Sequence, residues 1–161
     1  MVETDNPRHH RKIRLPAGIY RRPGTTWLVT ITAHDRAARP FASEPFASEV
    51  ASVLVSAHGL RSCRLLAYCL MPDHLHFVTT VGDGGDLVKL VDGFKSYSTK
   101  VRRDAGGVGP LWQVSFPDRG LRTPEDVEVA LRYVWDNPAR VGLIAADEPY
   151  AHRGGELFDA P

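Results

Sequence analysis

Two apolar runs, residues 64–70 (RLLAYCL) and 74–80 (HLHFVTT), are separated only by Met71-Pro72-Asp73. So short a connection has no length for a crossover, and the two runs must pair as an antiparallel hairpin. Everything else in the chain has to be arranged around that hairpin.

The neighbouring segments alternate between strand and helix signals. Residues 26–33 (TWLVTITA) alternate and are rich in β-branched and aromatic side chains, which predicts a strand. Ser43 and Pro45 open a helix with Ala47, Val50, Ala51, Leu54 and Val55 as its apolar stripe and Gly59 as its stop. Asp86 is placed to cap a helix carrying Leu87, Leu90, Val91, Phe94 and Val101, closed by Gly106-Gly107. Residues 114–121 read as a short strand, and Pro117 restricts it to a sheet edge. Thr123, Pro124 and Asp126 have the spacing of a capping box with proline at the first helical position. The helix they start buries Val127, Ala130, Leu131 and Val134 and runs to Asn137, where Pro138 is expected to end it.

The order β-α-β-β-α-β-α predicts an α+β fold, a ferredoxin-like antiparallel sheet with helices packed on one face. The expected organisation is a basic arm over residues 1–24, one domain over 25–145 and a tail over 146–161. A chain of 161 residues, 43% hydrophobic and 24% charged, is large enough for a single core. No apolar run reaches the length of a membrane span and the N-terminus is charged, so no membrane association and a cytoplasmic location are expected.

The net charge of +1 does not mark the chain as a nucleic-acid binder. Its cations are unevenly placed, however, with Arg11, Lys12 and Arg14 in the arm and Lys95, Lys100, Arg102 and Arg103 on the second helix. Charge alone fits a solvated tail and an ordinary helix face, and the same cations are the candidates should the chain meet a polyanion. Cys63 and Cys69 flank a strand and would stand roughly 20 Å apart, too far for a disulfide, so both are read as packed thiols.

His74 and His76 lie two apart on a strand, which sends both imidazoles to one face and Leu75 and Phe77 to the other. That geometry can chelate one cation if an oxygen ligand and open positions complete it. A bare His-X-His pair more often only forms hydrogen bonds. On the last helix Tyr133 and Asn137 are one turn apart at the flank of the apolar stripe. A phenol needs a base or a cation nearby to act as a nucleophile, and the asparagine carbonyl is a candidate for the missing oxygen ligand.

Three segments taken together resemble the HUH-type single-tyrosine transposases, in particular the REP-associated tyrosine transposases related to small insertion-sequence transposases. They are Met71-Pro72-Asp73-His74-Leu75-His76-Phe77-Val78, the turn Gly109-Pro110-Leu111-Trp112-Gln113, and Leu131-Arg132-Tyr133-Val134-Trp135-Asp136-Asn137-Pro138-Ala139-Arg140-Val141-Gly142-Leu143. The resemblance implies the HUH endonuclease fold, Mg²⁺ or Mn²⁺ held by His74, His76 and Asn137, and Tyr133 as the nucleophile. It further implies a single-stranded DNA substrate, often with a hairpin, that is cut and rejoined through a 5′-phosphotyrosine by a monomer or homodimer. Tyr97 is the nearest competitor as nucleophile, because it too lies on a helix beside basic residues. Two other readings stand beside this one: a domesticated module that binds DNA hairpins without cutting, and a metal-dependent phosphoesterase that uses water.

Overall fold

The computed structural model describes residues 15–158, so Arg11, Lys12 and Arg14 of the arm lie outside the described residues. The hairpin forms as expected, with β2 (Cys63–Met71) and β3 (His74–Val81) antiparallel and Met71 opposite His74. β1 (Thr26–Thr32) pairs with the other edge of β3, placing Thr30 opposite His76. β4 (Asp118–Leu121) flanks β1, and β5 (Arg153–Gly154) flanks β2, giving a five-stranded antiparallel sheet in the order β4-β1-β3-β2-β5.

β4 starts later than the sequence pattern indicates. Pro117 has no N–H to give the ladder, and its carbonyl accepts the first bond from Thr30 at 3.0 Å. β5 falls in the segment read as a tail, where two residues carry too little periodicity to register as a strand.

α1 (Phe46–Leu60) and α2 (Leu87–Asp104) cover one face of the sheet. The large core there gathers Trp27, Val29, Ile31, Leu75 and Phe77 from the sheet with Val50, Leu54, Leu90 and Phe94 from the helices. Within α1, Val55 is exposed, and His58 takes the buried place one turn beyond Leu54. The arrangement of helices on one face holds for α1 and α2. α3 (Pro124–Arg140) is placed on the opposite face, over Ala67, Cys69, Met71 and Val78.

A bulge in β2 makes this second face. Leu65 pairs with Thr79 while Ala67 pairs with Val78, so one residue is skipped and the period of two changes phase. Cys63 and Leu65 therefore point into the α1–α2 core, whereas Ala67, Cys69 and Met71 point toward α3. Gly155 lies against this bulge, and a Cβ there would come within 2.5 Å of the Leu66 carbonyl oxygen. No larger residue can make that approach.

α3 begins as expected. The Thr123 hydroxyl accepts from the Asp126 N–H at 3.1 Å, and the Asp126 carboxylate accepts from the Thr123 N–H at 3.3 Å. Its end is different, because the helix passes through Pro138 and stops at Arg140. Proline in the last turn removes a single donor, and the Pro138 carbonyl still accepts from Leu143 at 2.9 Å, so the turn closes around it. The C-terminal segment then fastens α3 to the sheet. Arg153 donates to the Trp135 carbonyl at 2.9 Å and lies 4.3 Å over its ring, while Phe158 stacks on Trp135 at 4.0 Å. Both cysteines are free and buried, and no described helix is long and apolar enough to cross a membrane.

His58 gives the fold a measurable pH response. Its Nδ1–H donates to the Leu54 carbonyl at 2.8 Å, its Nε2 is buried without a partner, and burial pushes its pKa down to about 4. The unfolded chain binds this proton near pH 6.5 and the folded chain only near 4, so stability is full above that window and falls as pH drops through it. The loss is on the order of 3 kcal/mol. Urea denaturation at pH 7 and pH 4.5 is expected to show a smaller acid loss for His58→Gln than for the parent protein, and equal losses would contradict the assignment.

Candidate active site

The chemistry-bearing residues converge on the α3 face. β-Alternation sends His74 and His76 there, where their rings meet at 4.6 Å, centroid to centroid. α3 crosses above them and sets the Tyr133 ring 5.3 Å from the His76 ring, at an interplanar angle of 70°. Asn137, one helical turn on, is 4% exposed. The middle-strand histidines and the C-terminal tyrosine, far apart in the chain, thus meet within one subunit.

Each imidazole is oriented through Nδ1. The Asp73 carboxylate accepts from His74 Nδ1–H at 2.6 Å, and Thr30 Oγ1, which faces His76 across the β1–β3 ladder, lies 2.8 Å from His76 Nδ1. With Nδ1 engaged in both rings, Nε2 is the nitrogen left for a ligand. Asp73 is itself held by Arg36 at 2.8 Å. Burial raises the Asp73 carboxyl, but the hydrogen bonds from His74 and Arg36 outweigh it and hold the group below the usual range. Burial pushes His76 down to about 4, with help from the charges of His74 and Arg140, so the ring is neutral at physiological pH.

The donor set fits a divalent cation. Neutral imidazole nitrogens and an amide oxygen are ligands such an ion accepts. Asn137 Oδ1 is buried and has no hydrogen-bond partner, a costly state for an acceptor unless something else occupies it. Cys69, opposite His76 in the β2–β3 register, is kept as a thiol by burial, which pushes its pKa up to about 12. Among the described residues no three His, Cys, Asp or Glu side chains are grouped to hold a metal, so a closed cysteine- and histidine-rich site is not formed.

Arg140, two turns after Tyr133, places its guanidinium 4.5 Å over the tyrosine ring. Neither it nor Asp73, Arg36 or Thr30 emerges from the sequence as a site residue. Asp73 and Arg140 lie inside the family-like segments without an assigned role, and Thr30 is visible only once strand register is known.

The other candidates lie elsewhere. Tyr97 is exposed on α2, across the sheet from the histidines. Of the cations on α2, Lys95 donates to the Gln113 and Val114 carbonyls, Arg102 to the Pro110 carbonyl, and Lys100 pairs with Asp104. The Lys95 and Arg102 bonds tie α2 to the 107–114 loop, whose Trp112 Nε1–H donates to buried Ser98 at 2.8 Å. Arg103 lines an open groove beside the same loop.

An antiparallel α+β sheet that presents paired imidazoles to a helix-borne phenol matches the class of DNA-processing enzyme suggested by the three segments. Residues 28–117 match the family described as "Transposase IS200 like", and the chain belongs to that family. Its fold is similar to that of a REP-associated tyrosine transposase solved bound to a REP hairpin, at 21% identity and a TM-score of 0.67, covering 78% of this chain and 73% of that one. It is also similar to a putative transposase from Deinococcus radiodurans R1, at 16% identity and a TM-score of 0.50, covering 70% of this chain and 88% of that one. Comparison with curated proteins finds no match.

The hydrogen bonds behind the imidazoles are open to test. Thr30→Val and Asp73→Asn are each expected to weaken Mn²⁺ binding roughly 10–100-fold by titration calorimetry, with circular dichroism unchanged. Wild-type affinity in both variants would show that these partners do not orient the rings for a ligand.

Proposed function

We propose that this transposase cuts and rejoins single-stranded DNA with Tyr133 as nucleophile and a divalent cation, Mg²⁺ or Mn²⁺, held by His74, His76 and Asn137. The observation that carries the proposal is the convergence of the Tyr133 ring and the two imidazoles on one face, with the buried, unpartnered Asn137 oxygen one helical turn from Tyr133. When bound, the cation supplies Lewis-acid stabilisation of the charge that develops on a non-bridging phosphate oxygen.

The protein's own groups do the rest. α3, fixed at its start by the capping box and near its end by Arg153 and Phe158, holds the phenol in place relative to the histidines. Tyr133 Oη attacks the phosphorus, the P–O3′ bond breaks, and the leaving oxygen takes a proton and departs as a 3′-hydroxyl. The phosphate remains esterified to the tyrosine on the 5′ side. One phosphoester bond replaces another, so attack by a different 3′-hydroxyl rejoins the strands without ATP.

The expected substrate is DNA with a hairpin, in line with the REP hairpin bound to the structural relative. Residues 25–145 are proposed to carry the catalytic groups, with residues 153–158 holding α3 against the sheet, and with the arm cations Arg11, Lys12 and Arg14, and Lys95, Lys100, Arg102 and Arg103 of α2, as DNA-backbone contacts. The proposed active form is a monomer or a homodimer, and the expected compartment is the cytoplasm.

Incubation with hairpin-bearing single-stranded oligonucleotides and Mg²⁺ or Mn²⁺ is expected to yield a covalent protein–DNA adduct on denaturing gels. Tyr133→Phe should abolish the adduct, and Tyr97→Phe should retain it. An adduct that persists in Tyr133→Phe would move the nucleophile. Hairpin affinity with no adduct would identify a non-cleaving binding module, and turnover surviving Tyr133→Phe would identify a phosphoesterase that uses water.

A further inference from the structure

A groove of about 440 Å³ opens between the Pro72-Asp73 turn and the end of α3. It is lined by Arg36 and Arg39, by apolar Pro72, Val141 and Leu143, and by His74. His74 is two ring contacts from Tyr133, so the groove adjoins the candidate active site without containing the nucleophile.

Arg39 is held there against its own conformational preference. Its backbone sits at φ 46 and ψ 58, in the left-handed region where glycine or asparagine meets less steric cost. The surrounding loop leaves it little choice. Ala33 N–H donates to the Asp73 carbonyl at 2.9 Å, Phe41 N–H donates to the Pro72 carbonyl at 3.0 Å, and the Asp35 carboxylate accepts from the Ala37 and Ala38 N–H groups. The loop is thereby fastened to the turn that carries His74. Strained residues over-determined in this way concentrate at ligand clamps. The Arg39 side chain has no hydrogen-bond or ion-pair partner among the described residues, whereas Arg36 is already committed to Asp73.

The opposite boundary of the groove comes from the end of α3. Gly142, at φ 75, turns the chain, its N–H donating to the Ala139 carbonyl at 3.0 Å. The turn leaves Val141 and Leu143 exposed, two apolar side chains with no burial to justify their position. An unpaired guanidinium and an apolar surface in one groove match the two halves of a nucleotide: an anionic phosphate and a flat, weakly polar base.

We propose that this groove is a nucleotide subsite, which takes a nucleotide of single-stranded DNA flanking the cleaved bond. Arg39 contacts its phosphate, and Val141 and Leu143 contact its sugar and base. The placement beside the cleaved bond rests on the strand-transfer reading above, but the subsite itself is a binding property and can be measured without cleavage.

The probe is a short fluorescein-labelled oligothymidylate, with binding followed by anisotropy across a range of NaCl concentrations. Arg39→Gly removes the cation while suiting the backbone conformation, so the variant is expected to fold at least as well as the parent. Loss of one phosphate contact should weaken binding and reduce the slope of log K against log salt by about 0.7. Arg39→Lys should keep the slope. Leu143→Asp, which sets a carboxylate where the strand is placed, should weaken binding several-fold. An unchanged slope in Arg39→Gly, or unchanged affinity in Leu143→Asp, overturns the subsite. Altered binding in both variants without any Tyr133 adduct would leave the subsite standing and remove the catalytic reading, while an adduct with unaltered binding would do the reverse.

Discussion

The packing of α3 on the sheet is the contact on which the candidate site depends. β3 can present His74 and His76 to one face through alternation alone, but two imidazoles on an open face would be solvated and far from the phenol and amide of α3. The apolar stripe of α3, with Ala130 and Val134 at its centre, closes that face over Ala67, Cys69, Met71 and Val78. The same closure buries His76, keeps it neutral, and brings the Tyr133 phenol beside it, with Asn137 buried one turn further along α3. Burial energy and site geometry therefore come from one interface.

That interface is fixed at several points. The capping box sets where α3 starts, and the C-terminal segment sets where it lies, through Arg153 and Phe158 on Trp135 and the Tyr150 hydroxyl donating to the Leu70 carbonyl at 2.7 Å. The bulge in β2 matters as much, because it turns Ala67, Cys69 and Met71 toward α3 after Cys63 and Leu65 have served the other core. Small and soft side chains at those places let the helix approach the strands. Support for the histidines comes from different elements again, Thr30 from β1 and Asp73 from the hairpin turn, with Arg36 behind it.

The two sides of the sheet divide the labour. The α1–α2 side is a continuous apolar core whose polar residues are locked internally, as with Trp112 on Ser98 and His58 on Leu54. Tyr97 lies on that side, which is why a tyrosine on a basic helix, plausible by composition, stands apart from the histidines. The basic residues of α2 that pointed to DNA also serve the fold, since Lys95 and Arg102 hold the 107–114 loop. Cations can serve both purposes, and a sequence does not display which carbonyls they meet.

Local rules made much of the protein legible in advance. The short Met71-Pro72-Asp73 connection required the hairpin, alternation put His74 and His76 on a common face, and the spacing of Thr123, Pro124 and Asp126 placed the start of α3. Helical periodicity likewise set Tyr133 and Asn137 on one side. These features depend on neighbours a few residues apart, so sequence carries them. The rest arose from contacts between distant segments: α3 on the face opposite α1 and α2, the phase change at the β2 bulge, the strand formed by Arg153 and Gly154, and the Thr30 and Asp73 partners of the imidazoles. Pro138 belongs with them, because a proline that would end an isolated helix is accommodated when only one donor is lost and Leu143 returns to cap the turn. Which faces meet is decided by burying apolar area across the whole chain, and no window of a few residues contains that balance.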